Sequence, residues 1–213
     1  MVRIICTLIV ILFAATPMAS AFAQQTHDTL ETKVSDPKLR EDLLAMEVAD
    51  QDVRQEFIKA LSVHPIDSLS LVNVDRKMYS VDTANTATLK RIINRYGWPG
   101  RKLVGRKGIE AAFLILQHSP DTLFQRACLP LLQNAYEHDQ VPGEAVALLT
   151  DRVLVREGKP QLYGTQATFA DGKLAMDPIA DSAGVDARRA KLGLPSLAEY
   201  IKLLQQVYHL KSK

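Results

Sequence analysis

Apolar side chains recur at three- and four-residue intervals over much of the chain, which is the spacing of one buried face on an α-helix. The first such stripe follows Ser35-Asp36-Pro37, where a capping residue precedes a proline, and it continues to Leu61. Val63 to Ser80 shows no sustained period and contains Pro65, and we interpret it as a connection with room for a short turn of helix. A second helix is predicted from a cap at Asp82 to Gly97-Trp98-Pro99, because glycine and proline end helices.

The middle of the chain contains its most apolar segment. Ile109 to Leu116 is apolar at every position except Glu110, which predicts a central helix buried on all sides. Asp121 is expected to cap the next helix, which Pro130 should kink or divide because proline removes a backbone hydrogen bond. Another helix is predicted from Pro142 to about Arg156.

After that helix the apolar period shortens to two residues, which is typical of β-strands. Leu162 to Phe169 and Leu174 to Met176, joined at Asp171-Gly172, predict a hairpin. A hairpin alone is marginal in water, so it should pack on the helices. Val185 to Leu192 and Ser196 to His209 predict the last two helices. The expected fold is mainly α: a single helical domain with one small β-hairpin packed on it.

The first 23 residues have the features of a secretory signal. Arg3 supplies a positive start, Ile4 to Ala15 is apolar but too short for a permanent span, and Ala21-Phe22-Ala23 is a small-x-small cleavage site. Cys6 lies at the start of the apolar core, so a lipid anchor is not expected. We expect residues 1–23 to be a signal peptide, 24–35 a flexible mature N-terminus and 36–209 the helical domain of a periplasmic or secreted protein with no stable membrane anchor.

Charge and cysteine content narrow the classes of function. Removal of Arg3 leaves 26 − 1 = 25 basic against 24 acidic residues, so net charge gives no reason to expect nucleic-acid binding. Cys128 would be the single mature cysteine, which excludes an intramolecular disulfide. The five histidines lack the spacing of zinc sites, so we expect no metal and no cofactor.

Charge is nevertheless segregated along the chain. Thr83 to Ile109 contains seven basic residues and no acidic one, whereas His27 to Glu56 contains nine acidic and four basic residues. The glycine-interleaved basic segment suits an anionic cell-envelope ligand, with Arg101 and Lys102 as candidate contacts in a loop. The alternative is that the two segments pair internally or are simply solvated.

Two residues are candidate catalytic groups. His118 ends the apolar helix, where an imidazole is either a general acid or base or a helix cap. Asp151 and Arg152 should both face apolar neighbours, which indicates a buried structural network or a polar cleft. A serine or cysteine nucleophile is not expected, because Gly-x-Ser-x-Gly is absent and Cys128 lies in an apolar stripe.

The favoured function is a periplasmic binding or interaction domain with a polar cleft. The alternative is a cell-envelope hydrolase or transferase that uses His118 or Asp151 as its acid or base, and a third reading is a structural protein without a small ligand. Gly164 lies among polar residues of the predicted strand, which is typical of tight packing or of a ligand's approach. Besides the two catalytic candidates, the expected cleft contains Gln117, Arg152, Tyr163, Thr165, Gln166, Arg188 and Arg189.

Short motifs are spread over the whole predicted domain: Asp50-Gln51-Asp52-Val53-Arg54, Asp82-Thr83-Ala84-Asn85, Tyr96-Gly97-Trp98-Pro99-Gly100, Gln117-His118, Leu149-Thr150-Asp151-Arg152, Gly158-Lys159-Pro160-Gln161-Leu162-Tyr163-Gly164-Thr165-Gln166 and Asp186-Ala187-Arg188-Arg189. Their order resembles a bacterial domain-of-unknown-function family whose members are often exported. The resemblance extends from about Glu41 to Leu203. It implies a grouping and a set of polar positions, without a reaction.

Overall fold

The computed structural model describes residues 34–62, 67–170 and 173–207, and this part of the chain is mainly helical. Within these described ranges, a small antiparallel two-stranded sheet accompanies seven α-helices, so the predicted fold class is confirmed. The helices are α1 (Pro37–Ser62), α2 (Ser68–Tyr96), α3 (Arg101–His118), α4 (Thr122–Glu137), α5 (Gly143–Arg156), α6 (Val185–Lys191) and α7 (Leu197–Val207). None of the described helices is long and apolar enough to cross a membrane.

Helix α3 occupies the centre of the helical core. It packs against α1, α2 and α5, which explains why its apolar residues are buried on every side. Glu110 alone is exposed within the predicted all-apolar segment, so the prediction of a central buried helix is confirmed. The largest fully buried apolar side chains of this core come from five helices: Leu43, Leu89, Ile115, Leu116, Leu132 and Leu149.

Helix α2 is longer than the sequence pattern predicted. The interpretation of Val63 to Ser80 as a connection is wrong from Ser68 onward, and residues 63–66 lie outside the described residues. Asp82 therefore lies inside the helix, and the capping carboxylate is that of Asp67, which accepts a hydrogen bond from the backbone N–H of Leu69. The helix ends before Gly97, as predicted.

Helix α3 begins before the buried segment, so the expected loop containing Arg101 and Lys102 is helical. Gly105 has φ 70° and ψ 176°, which breaks the regular helix at a position that favours glycine. Helix α4 is capped by Asp121 as predicted, and it continues as one helix through Pro130. Of the two predicted effects of Pro130, a kink or a division, the division does not occur.

The hairpin consists of β1 (Ala167–Ala170) and β2 (Lys173–Met176), with Ala170 opposite Lys173. Asp171-Gly172, the predicted turn, lies outside the described residues. Strand β1 is shorter than predicted, because residues 161–166 form a loop whose backbone N–H groups bond to side chains. Gly164 has φ 68° in this loop, and a Cβ there would lie 2.8 Å from a methyl carbon of Leu197.

Candidate functional site

Six ionisable side chains from four helices form a network between the helices, which we call the charged cluster. Helix α1 contributes an aspartate and an arginine one turn apart, so that both lie on the same helix face. Helix α2 adds one aspartate, α3 ends in a histidine, and α5 supplies two arginines one turn apart. The members are Asp50, Arg54, Asp82, His118, Arg152 and Arg156.

Asp50 and His118 form a buried carboxylate–imidazole pair. Nδ1 of His118 lies 2.9 Å and 3.0 Å from the two carboxylate oxygens of Asp50. The carboxylate also forms an ion pair with Nη1 of Arg54 at 2.9 Å and accepts a hydrogen bond from Nε2 of Gln51 at 2.8 Å. Asp50 is 1% exposed, and these three partners fix the position of its carboxylate.

The imidazole of His118 is neutral at pH 7. Burial lowers its pKa to about 4, although the hydrogen bond to Asp50 opposes this shift. With the carboxylate accepting from Nδ1–H, the remaining lone pair is on Nε2, and the hydrogen bonds that His118 makes to the described residues are those of Nδ1. A carboxylate that fixes the tautomer and leaves Nε2 free is the arrangement of a general base.

Arg54 and Asp82 connect the charged cluster to solvent. Nη2 of Arg54 lies 3.0 Å and 3.1 Å from the carboxylate oxygens of Asp82, and the two side chains are 16% and 12% exposed. Burial raises the pKa of Asp82 to about 6, against the attraction of Arg54. Asp82 also lines a surface groove of about 380 Å³ along α2, together with Val72, Asp75, Arg76, Met78 and Tyr79.

Arg152 is the buried cation that the cluster does not pair. The residue is 3% exposed, and its Nε and Nη2 atoms are shielded from solvent without a hydrogen-bond partner. Burial lowers its pKa to about 9, helped by repulsion from Arg156 and Arg54. Arg156, by contrast, donates to the carbonyl of Ser119 at 2.7 Å and to Oε1 of Gln125 at 2.8 Å. The predicted burial of Arg152 is confirmed, and Nε and Nη2 lack the polar partner that was predicted for this residue.

Gln117 precedes His118 at the end of α3, and its side chain is fully buried. Neither the amide nitrogen nor the amide oxygen of that side chain has a hydrogen-bond partner. Buried amides are normally satisfied, so this one has unused capacity to bind a ligand.

Asp151 belongs to a second network, which holds the loop of residues 161–166 against α5. Its carboxylate accepts from the backbone N–H groups of Leu162, Tyr163 and Thr165 at 2.7 to 3.2 Å, and from Oγ1 of Thr165 at 2.9 Å. The predicted burial and polar partners of Asp151 are confirmed. A carboxylate with this many donors is suited to fixing a loop.

The other predicted cleft residues of this region serve the same loop. Arg188 donates to the carbonyls of Leu162 and Ala180, and Arg189 donates to those of Tyr163 and Pro195. The side-chain amide of Gln166 donates to Oγ1 of Thr165, its neighbour, at 3.1 Å. The structure therefore brings Asp151, Tyr163, Thr165, Gln166, Arg188 and Arg189 together, in a network separate from the Asp50–His118 pair.

Arg101 and Lys102 lie at the opposite end of α3 from His118, on the far side of the break at Gly105. Both side chains are exposed. The backbone N–H of Arg101 donates to Gln140, and the carbonyl of Lys102 accepts from Ser35. The sequence prediction of an anion site at these two residues is thus distinct from the charged cluster.

The sequence reasoning missed Asp50, Arg54 and Asp82 as site residues. All three occur in the short motifs that carried the resemblance, and that order of motifs was the available signal. In the described ranges, no three histidine, cysteine, aspartate or glutamate side chains converge as metal ligands. Cys128 is 1% exposed and burial raises its pKa to about 12, so its thiol is not a nucleophile.

Comparison with known proteins groups the chain without assigning a reaction. A model of the Family of unknown function (DUF6624) matches residues 37–213, and the chain belongs to this family. The predicted resemblance to a family of unknown function is thereby confirmed. No curated protein and no solved structure matches the chain.

Proposed function

We propose that this member of the DUF6624 family is a hydrolase that acts in the cell envelope, with His118 as its general base. The observation that carries the proposal is the buried bond between the Asp50 carboxylate and Nδ1 of His118. That bond directs the lone pair of Nε2 away from Asp50 and keeps the tautomer that can accept a proton. The Met1 to Ala23 signal pattern supports a location in the envelope.

The proposed reaction is attack by water on an acyl or phosphoryl centre. Nε2 of His118 removes a proton from water as the oxygen forms its bond to that centre, and the same proton is then delivered to the departing group. Asp50 stabilises the imidazolium that forms between these two steps. The unpaired guanidinium of Arg152 supports the proposal, because it is an uncompensated positive charge close enough to His118 to lower the pKa of the imidazole.

The first test is hydrolysis of a panel containing a chromogenic carboxylic ester, amide and phosphodiester by the purified protein. His118→Gln should lower kcat by about a hundredfold or more, which is the contribution of a positioned general base. Asp50→Asn should lower it in the same direction, because an amide cannot stabilise the imidazolium. His138→Gln is the matched control, since His138 is an exposed histidine that bonds to a backbone carbonyl.

A second measurement needs no substrate. Nitrogen-15 NMR of the histidine rings should show His118 neutral and protonated on Nδ1 at pH 7, with its protonation delayed to about pH 4. Titration of His118 near 6.5, together with unchanged hydrolysis by His118→Gln, would contradict the proposal.

A binding domain without catalysis is the second candidate. The unpaired polar atoms of Arg152 and Gln117 favour it, because such atoms are capable of holding a ligand whether or not a reaction follows. The distinguishing result is a ligand that raises the melting temperature but is released chemically unchanged.

A further inference from the structure

We propose that Arg152 is the receptor for a carboxylate, so that the hydrolase acts on substrates bearing a free carboxylate group. The hydrolytic reaction in this inference rests on the proposed function, whereas the binding of a carboxylate by Arg152 does not. Two nitrogens of Arg152, Nε and Nη2, are shielded from solvent and make no hydrogen bond. A guanidinium with unpaired nitrogens in the interior destabilises the fold, and a bound anion would offset this destabilisation.

The geometry of the two unpaired nitrogens indicates which shape of anion would fit them. Nε–H and one N–H of Nη2 point in parallel from the same edge of the guanidinium plane. That edge accepts the two oxygens of a carboxylate in a bidentate pair of charge-assisted bonds. A chloride ion or a neutral amide presents a single acceptor atom to this edge, so it cannot form two parallel bonds to two separate atoms.

The net charge of the charged cluster indicates how many negative charges the bound anion should carry. Arg54, Arg152 and Arg156 contribute three positive charges, and Asp50 and Asp82 contribute two negative charges while His118 is neutral. One positive charge is therefore uncompensated, which matches a single carboxylate better than a dianionic phosphate.

The other two arginines of the charged cluster already have partners within the protein, so Arg152 is the arginine of the cluster that is left to bind the anion. Arg54 holds both aspartates, and Arg156 holds the Ser119 carbonyl and Gln125. Arg152 lies close enough to His118 to depress the pKa of the imidazole by its charge. A carboxylate bound to Arg152 thus fixes the rest of the substrate near Nε2 of His118.

The test compares acetate with acetamide, which have nearly the same size and differ in charge. Sodium acetate should raise the melting temperature of the purified protein above that in sodium chloride of equal ionic strength, whereas acetamide should not. Orthophosphate is the third ligand of the series. The Nε–H resonance of Arg152 in nitrogen-15 NMR reports whether acetate reaches this guanidinium.

Three variants test whether acetate binds at Arg152. Arg152→Met should weaken acetate binding by about tenfold or more, the factor expected when charge-assisted bonds are lost. Arg101→Met, which removes an exposed arginine from the other end of α3, should bind acetate as the wild type does. Arg152→Lys keeps the charge without the bidentate edge and should bind with intermediate affinity.

The outcomes separate this inference from the proposed hydrolase. Acetate binding that is lost in Arg152→Met and retained in His118→Gln supports the carboxylate receptor even if no substrate of the panel is cleaved. Absence of an acetate effect in the wild type overturns it, and so does acetate binding unchanged in Arg152→Met. Orthophosphate binding more tightly than acetate would overturn the choice of carboxylate. None of these results depends on His118 catalysis.

Discussion

Asp151 and Arg152 are neighbours in the sequence, and both are buried, yet their charges are satisfied to opposite degrees. Asp151 accepts hydrogen bonds from three backbone N–H groups and one hydroxyl, whereas two nitrogens of Arg152 have no partner. The helix-face argument predicted the burial of both, because it depends only on local spacing. It could not predict their partners, which come from distant parts of the chain.

Replacement of Asp151 by alanine should destabilise the protein by about 3 kcal/mol, because three backbone N–H groups lose their shared acceptor inside the fold. Chemical denaturation of wild type and variant measures the difference in unfolding free energy. Asp52→Ala, at an exposed position of α1, is the control and should change that energy little. An unfolding curve for Asp151→Ala that overlays the wild type would show that these bonds contribute nothing.

Arg152→Met should have the opposite sign. Methionine keeps the long apolar stem and removes a buried charge that has no partner, so we expect about 1 kcal/mol or more of added stability in chloride buffer. The measurement is again the free energy of unfolding, made without acetate. A loss of stability in this variant would mean that the guanidinium is paired within the protein.

At the scale of elements, the hydrophobic period predicted buried helices well and an exposed helical segment poorly. The buried residues of α2, Asn85, Thr86, Leu89 and Ile92, all lie in its C-terminal half. Leu69, Val72 and Tyr79 in the other half are exposed, so they display no buried face from which to read a period. The N-terminal half of α2 is helical because adding residues to an existing helix is easier than starting one.

This difference predicts unequal stability within one helix. Backbone amides of residues 72–80 should exchange with deuterium faster than those of residues 86–96, since the first half opens without exposing buried side chains. Hydrogen-exchange mass spectrometry with peptides ending near Ser80 resolves the two halves. Helix α3, which is buried along most of its length, provides the slowly exchanging reference. Equal protection across α2 would show that its exposed half is held by other contacts.

For the whole molecule, the charged cluster is assembled by packing rather than by sequence proximity. Asp50 and His118 are 68 positions apart, and they meet because α1 packs against α3. The sequence pattern predicted a central α3 and an amphipathic α1. An apolar stripe on a helix, however, does not specify which other helix packs against it. For that reason His118 was identifiable as a candidate from its own helix end, whereas its carboxylate partner was not.

The cluster also contains two groups whose titrations oppose each other between pH 4 and 6. Burial raises the pKa of Asp82 from 3.8 to about 6, so the folded state holds a proton there that the unfolded chain has released. The resulting stabilisation is present at low pH and is lost as pH rises to 6. The lowered pKa of His118, about 4 against 6.5, has the reverse effect: the unfolded chain binds the proton first, and stability is lost as pH falls from 6.5 through 4.

In the wild type, these two pH dependences of the unfolding free energy cancel. Single substitutions should therefore reveal each one separately, with slopes of opposite sign. Relative to the wild type, Asp82→Asn should gain stability as pH rises from 4 to 6, because it lacks the group whose contribution falls over that interval. His118→Gln, measured in the same way, should lose relative stability over the same interval. The measurement is the difference in unfolding free energy between variant and wild type at several pH values, which removes the contribution of carboxylates common to both. Parallel pH profiles for the wild type and both variants would mean that neither group titrates abnormally, and the neutral imidazole on which the proposed catalysis depends would lose its support.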